Sequence, residues 1–151
     1  MLFRSVTLTS QAYGKSVQSI ATTTTQATGT FTFGASPTIQ TVYTAHVGTS
    51  NSVPVTVNVA PRVGFGLNGH LYVAKVTSDI GYGGHFVVVQ RRGPLGGWTS
   101  IKRVYLGDTS RATFRLNLVK GRSVLRLVLP GGQAGTGYVQ SASRLMAVVK
   151  K

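Results

Sequence analysis

Thr113-Phe114-Arg115-Leu116-Asn117-Leu118 alternates polar and apolar residues without a break. In an extended chain successive side chains point to opposite faces, so Phe114, Leu116 and Leu118 form one apolar row, with Arg115 and Asn117 on the other side. A helix would scatter that row around its circumference. The same period recurs downstream in Val124 to Leu129 and Leu145 to Val149, and upstream in Leu71 to Val76 and Phe86 to Arg91. It is present again in Thr30 to Phe33 and Val53 to Val59. No stretch carries the i, i+3, i+4, i+7 apolar stripe of a helix. Turn signals separate the runs at a spacing of about 8–12 residues, the pattern of an all-β sandwich.

The punctuation agrees. Asn68-Gly69 lies between two apolar runs and predicts a tight hairpin with positive φ at both turn residues. Gly81 to Gly84, Gly93 to Gly97, Gly107-Asp108 and Pro130 to Gly137 mark the later loops. Pro54 interrupts an alternating run, which predicts an edge strand or a bulge there.

The pattern repeats. Val6, a turn near Gly14, Ser19-Ile20, Gly29-Thr30-Phe31, Pro37, Tyr43 and Ser50 to Ser52 lead into the valine alternation that ends at Val59. After Ala60-Pro61-Arg62, a short, stiff joint, the order recurs as Val87-Val88-Val89, Gly96-Gly97, Ser100-Ile101, Ala112-Thr113-Phe114, Gly121, Leu125, Ser141 to Ser143 and a last alternation to Val149. The second copy opens with two additional strands, Val63–Leu67 and Leu71–Val76. The expected organisation is therefore a partial module over residues 1–61, truncated at its N-terminal side, and a complete module over residues 62–151.

Composition bounds the chemistry. The chain has 151 residues, no Cys, and 16 Lys or Arg against 2 Asp or Glu, for a net charge of +14. There is no thiol nucleophile, disulfide or zinc–thiolate site. No apolar run approaches the roughly 18 residues of a membrane-spanning helix. Met1-Leu2-Phe3-Arg4-Ser5 turns polar too soon for a secretory signal, and Val6-Thr7-Leu8 reads at once as a strand, so we expect a segment of a longer protein.

Gly64-Phe65-Gly66-Leu67-Asn68-Gly69 fits the dinucleotide-binding G-x-G-x-x-G, but that motif needs a helix to follow it, and His70 to Val76 alternates as a strand. The glycines are assigned to the hairpin and no cofactor is expected. Asp79 and Asp108 are the only side-chain carboxylates, both in loops, where Asp commonly accepts backbone hydrogen bonds. A hydrolase built on them is the enzymatic alternative. His46, His70 and His85 show no metal-ligand spacing, and no G-x-S-x-G elbow is present. We expect no catalytic or metal site. Trp98, after a Gly-rich approach, is read as packing over the sandwich edge rather than as a sugar platform.

Charge is the feature with positive content. Residues 1–61 carry Arg4 and Lys15 and no acid, whereas residues 62–151 carry 14 basic and 2 acidic residues. Arg91 and Arg92 end one strand run, Lys102 and Arg103 sit in the next, and Arg115, Arg126 and Arg144 fall in three more. Side chains opposite one another across a sheet come within about 5 Å, so several of these residues are expected to stand in rows, either as a surface for a polyanion or as a solvated, arginine-biased face that keeps the module soluble.

Val87-Val88-Val89-Gln90-Arg91-Arg92, Gly97-Trp98, Leu125-Arg126-Leu127-Val128 and Tyr138-Val139 together resemble the immunoglobulin-like or fibronectin-like β-sandwich repeats of extracellular proteins from high-GC Gram-positive bacteria. The resemblance covers residues 62–150 well and 6–60 weakly, since Val17 stands where the Trp would be; within the better-matched stretch, Leu125 stands where a Tyr is usual. It implies tandem antiparallel sandwich modules, secreted or at the cell surface, that serve as a non-catalytic spacer or adhesion segment. The implied partners are neighbouring modules and a wall polyanion or acidic glycan. A nucleic-acid-binding β-domain and a phage virion decoration module are the alternatives.

Overall fold

The computed structural model describes residues 3–151, so Met1 and Leu2, the start of the segment tested above as a signal, lie outside the described residues. Among the described residues the chain is all-β, with antiparallel pairing throughout and a single 3-10 turn at Gly131–Gln133. It divides into two compact units, one ending at Val59 and the other starting at Ala60.

The first unit contains β1 (Ser5–Ala12), β2 (Gln18–Thr24), β3 (Thr41–Val47), β4 (Ser50–Asn51) and β5 (Val55–Val57). They form one five-stranded sheet in which β1 is flanked by β2 and β3, and β3 pairs on its other side with β4 and then β5. Alternation in β1 buries Val6 and Leu8, which with Ala45 make the core. Ala21, Phe33, Tyr43 and Val47 pack around it half-buried. Pro54 precedes β5, whose three residues pair only with β3, so the Val53 to Val59 run forms a shorter strand than its alternation predicts.

The second unit contains β6 (Arg62–Asn68), β7 (Leu71–Thr77), β8 (Phe86–Arg92), β9 (Trp98–Tyr105), β10 (Arg111–Phe114), β11 (Gly121–Leu129), β12 (Ser141–Ala142) and β13 (Met146–Lys150). They make two sheets, β10-β7-β6 and β9-β8-β11, the latter continued by β12 and β13 along the far side of β11. Val63, Tyr72, Ala74, Val76 and Phe114 from the first sheet are buried, as are Val87, Val89, Val104, Leu125, Leu127 and Leu129 from the second. β6 lies against β11 and β12, so the two apolar faces close on one another as a sandwich. The rings of Phe65, Tyr72 and Phe114 stack within it at centroid separations of 5.8–6.4 Å. Burial of each such side chain contributes roughly 1.5–3 kcal/mol.

The loop from Ser78 to His85 is tied into this core. Tyr82 is fully buried and its hydroxyl donates to the Ala134 carbonyl at 2.9 Å. The Phe86 N–H donates to Gln133 Oε1 at 3.1 Å, and His85 Nδ1 lies 3.0 Å from the Gln133 carbonyl.

Three local expectations need correction. First, the β6–β7 register pairs Asn68 with Leu71, so the two-residue turn is Gly69-His70, one position later than the Asn-Gly signal. Only Gly69 takes positive φ (57°), which matches a turn with glycine at its first central position rather than one with two left-handed residues. Second, Thr113 to Leu118 leaves the ladder after Phe114, yet Leu118 is buried, Leu116 half-buried, and Arg115 and Asn117 exposed. The facing alternation outlasts the hydrogen bonds. Third, Thr30 to Phe33 is not a strand. Its counterpart β10 is a strand because β7 pairs with it, and the first unit has no strand in that place among its described residues.

The two units share one pairing scheme. In β1–β2 the register slips between Leu8 and Thr9, which pair with Ala21 and Ser19 and leave Ile20 as an extra residue. In β8–β9 it slips between Val89 and Gln90, which pair with Lys102 and Ser100 and leave Ile101. The Ala45 N–H donates to Ser52 Oγ at 3.0 Å, and the Ser52 N–H returns a bond to the Ala45 carbonyl at 2.9 Å. Leu127 and Ser143 exchange the same two bonds at 2.9 and 2.8 Å. Each serine hydroxyl donates to the next carbonyl, Val53 or Arg144. The sheet β2-β1-β3-β4/β5 is thus the structural equivalent of β9-β8-β11-β12/β13.

Candidate functional site

The outer face of the β9-β8-β11 sheet collects cations and aromatic rings. Leu125 and Leu127 point into the core, so Arg126 between them must point out. It sits opposite Gln90 on β8, and its Nε–H donates to Gln90 Oε1 at 2.9 Å. The guanidinium then lies over the indole of Trp98, 4.1 Å from the ring centroid. Gln90 Nε2 in turn approaches Ser100 Oγ at 3.4 Å. Further along the same two strands, Arg103 on β9 stands opposite Val88 and covers the ring of Phe86 at 4.3 Å, while Tyr105 meets Phe86 edge-on at 5.7 Å.

These contacts solve a physical problem. With two carboxylates for 16 cations in the chain, acids are too few to hold the arginines in place. Aromatic faces replace them: the negative π-cloud attracts a guanidinium by about 0.5–1 kcal/mol at exposed sites without neutralising its charge. The cation is fixed yet stays a cation.

Of the seven arginines and lysines singled out in the sequence, Arg92, Arg103 and Arg126 share this outer face; Arg92 pairs with Trp98 across β8–β9. Arg91 and Lys102 occupy the opposite parity, opposite Leu125 and Val89. Lys102 Nζ donates to the Arg115 carbonyl at 3.1 Å, reaching from the edge of one sheet toward the edge of the other. Lys102 and Arg115, with His70 and Asn117, line a separate hollow of about 630 Å³. Arg144 lies exposed between β12 and β13. The seven residues therefore do not form one row.

Sequence reasoning missed Phe86 as the partner of Arg103, and missed Lys75 and Arg111. Those two cations stand directly opposite each other on β7 and β10, with Gly64 completing the row on β6. Both β6 glycines on that outer face, Gly64 and Gly66, leave its floor bare, and a shallow groove of about 440 Å³ runs over it. Only the strand order reveals the pair.

Gly64 and Gly66 lie within β6, so their amides belong to a strand and not to a phosphate-binding helix start. Asp79 and Asp108 are both exposed, and Asp108 sits in the Gly107–Ser110 turn with its Cα against Gly83. Among the described residues no three His, Cys, Asp or Glu side chains gather as a metal-binding group, and no helix is long and apolar enough to cross a membrane. Trp98 lies on the edge strand β9, and Arg126 occupies one of its faces.

No family model and no curated protein matches the chain. Among solved structures it is similar to the selenomethionine-substituted chicken interferon gamma receptor alpha chain, with a TM-score of 0.41 and 11% sequence identity over 99% of this chain and 86% of that one. A superposition that loose leaves the fold to be judged from the sheets themselves, which show antiparallel β structure throughout.

Proposed function

We propose that the chain is a non-catalytic binding or spacer segment of an extracellular or surface protein, built from immunoglobulin-like sheets, whose second unit contacts a polyanion such as a wall polymer or acidic glycan. The observation that carries this reading is the pair of guanidinium–aromatic stacks, Arg126 on Trp98 and Arg103 on Phe86, on one sheet face. Each stack orders a cation without an acid to cancel it, so the face is arranged before any ligand arrives. Phosphate, sulfate or carboxylate groups repeated along a polymer match such a face. Base stacking is less well served, because a guanidinium already covers one face of Trp98.

The test is retention of the full chain on immobilised poly(glycerol phosphate) and on heparin across a salt series. Binding should weaken steeply as ionic strength rises, since screening shortens to about 3 Å at 1 M salt. An R103A/R126A variant should elute at distinctly lower salt than the unsubstituted chain. Retention that ignores both salt and the double substitution would overturn the proposal, as would preference for single-stranded oligonucleotides over both polymers.

A further inference from the structure

In the second unit the hairpin β6–β7 roofs the inner face of the β9-β8-β11 sheet. The first unit holds the equivalent sheet, and the equivalent face is only partly covered. Phe33 packs against it from a segment without strand pairing, and an apolar hollow of about 470 Å³ remains, lined by Leu8, Phe31, Tyr43, Val53 and Val55 among others. Val53 is 83% exposed and Val55 60%. The positions that correspond across the repeat are better covered in the second unit: Leu125, which matches Tyr43, is fully buried, and Met146, which matches Val55, is half-buried.

We propose that this face is the docking site of a β-hairpin. Its occupant is defined by its counterpart: two short antiparallel strands that present valine, aromatic and alanine side chains inward, as Val63, Phe65, Tyr72, Ala74 and Val76 do in the second unit. The element order gives its source. β6–β7 directly precedes β8, and β8 is the counterpart of β1, so the hairpin belongs to polypeptide joined ahead of β1. Docked there, it pairs with the Thr30–Phe33 segment and turns it into the strand its alternation favours.

The experiment splices a second copy of residues 61–85 ahead of Phe3 in the full chain and follows amide hydrogen exchange in both units, with the second unit as internal reference. Exchange at Val6, Leu8 and Ala45 should slow about tenfold or more, and binding of a hydrophobic dye should fall. A spliced copy in which the counterparts of Val63, Phe65 and Ala74 are serine should give neither effect. Equal exchange with and without the splice would overturn the proposal, as would equal protection from the serine version. Dimerisation of the unspliced chain with the face already protected would also overturn it, since the occupant would then be a second copy.

Discussion

Ile20 and Ile101 occupy the same position in two different sheets: each is the extra residue of a bulge one position after a core residue, Leu8 or Val89, on the neighbouring strand. A bulge leaves one residue without a partner on the neighbouring strand. Past Ile101 the register puts Ser100 and Trp98 on the outer face with Gln90 and Arg92, and this is what lets Trp98 meet Arg126.

Deleting Ile101 should therefore leave Trp98 on the outer face. With the extra residue gone, Ser100 follows Lys102 in unbroken alternation, and Ser100 and Trp98 keep Gln90 and Arg92 as partners. Trp98 is the only tryptophan of the chain, so its fluorescence reports on this face alone. The emission maximum should stay in place in the deletion variant and move in Arg126→Ala, which uncovers the indole. A shift in the deletion variant would mean that this register does not place Trp98.

Arg126→Lys keeps the charge and loses the flat guanidinium that donates to Gln90 while lying over the indole. We expect Trp98 emission to change and stability to fall by about 0.5–1 kcal/mol. A Trp98→Phe chain should show a smaller cost for the same Arg126 substitution, measurable as a double-mutant cycle.

Ser143→Ala and Ser52→Ala remove the same bonds in the two units. The loss deprives the Leu127 or Ala45 N–H of its acceptor. Ser143 lies half-buried and Ser52 is exposed, so water replaces the lost acceptor more easily at Ser52. Thermal unfolding should show a cost of about 1–3 kcal/mol for Ser143→Ala and clearly less for Ser52→Ala. Equal costs would contradict this.

Tyr82 makes stability depend on alkaline pH. Burial, the largest influence, raises its phenol above the ordinary 10.0; the hydrogen bond from Ser78 opposes this, and Tyr138 adds to the rise. The folded state thus holds the phenolic proton more tightly than the unfolded chain does. The stabilisation is complete below pH 10 and is lost as pH climbs through the raised folded value. Tyr82→Phe should flatten part of that alkaline decline. It should also lower stability near neutral pH by about 1–2 kcal/mol, because the Ala134 carbonyl loses its donor.

Much of the fold was legible because alternation is a local property. Val87 and Val89 declare an inner face within three residues, and Leu125, Leu127 and Leu129 do so within five. The dipeptides Ser19-Ile20 and Ser100-Ile101 were visible as a recurrence, but not as bulges, since a bulge is defined by the partner strand. The candidate site was legible by residue type and not by arrangement. Arg103 reaches Phe86 and Arg126 reaches Trp98 through register, which also sends Arg91 and Lys102 to the other side. Thr30 to Phe33 shows the converse: the side-chain pattern of a strand does not make a ladder when no neighbour supplies the other half of the hydrogen bonds.

Lys75 and Arg111, set face to face across β7 and β10, should give the second unit an unusual response to ions. Two positive charges in register repel each other, so dissolved anions that gather over the glycine floor relieve the fold itself. Electrolyte should raise the melting temperature of this unit even as it loosens a polymer from the opposite sheet. A solution condition that dismantles the complex would then leave the free protein sturdier than before.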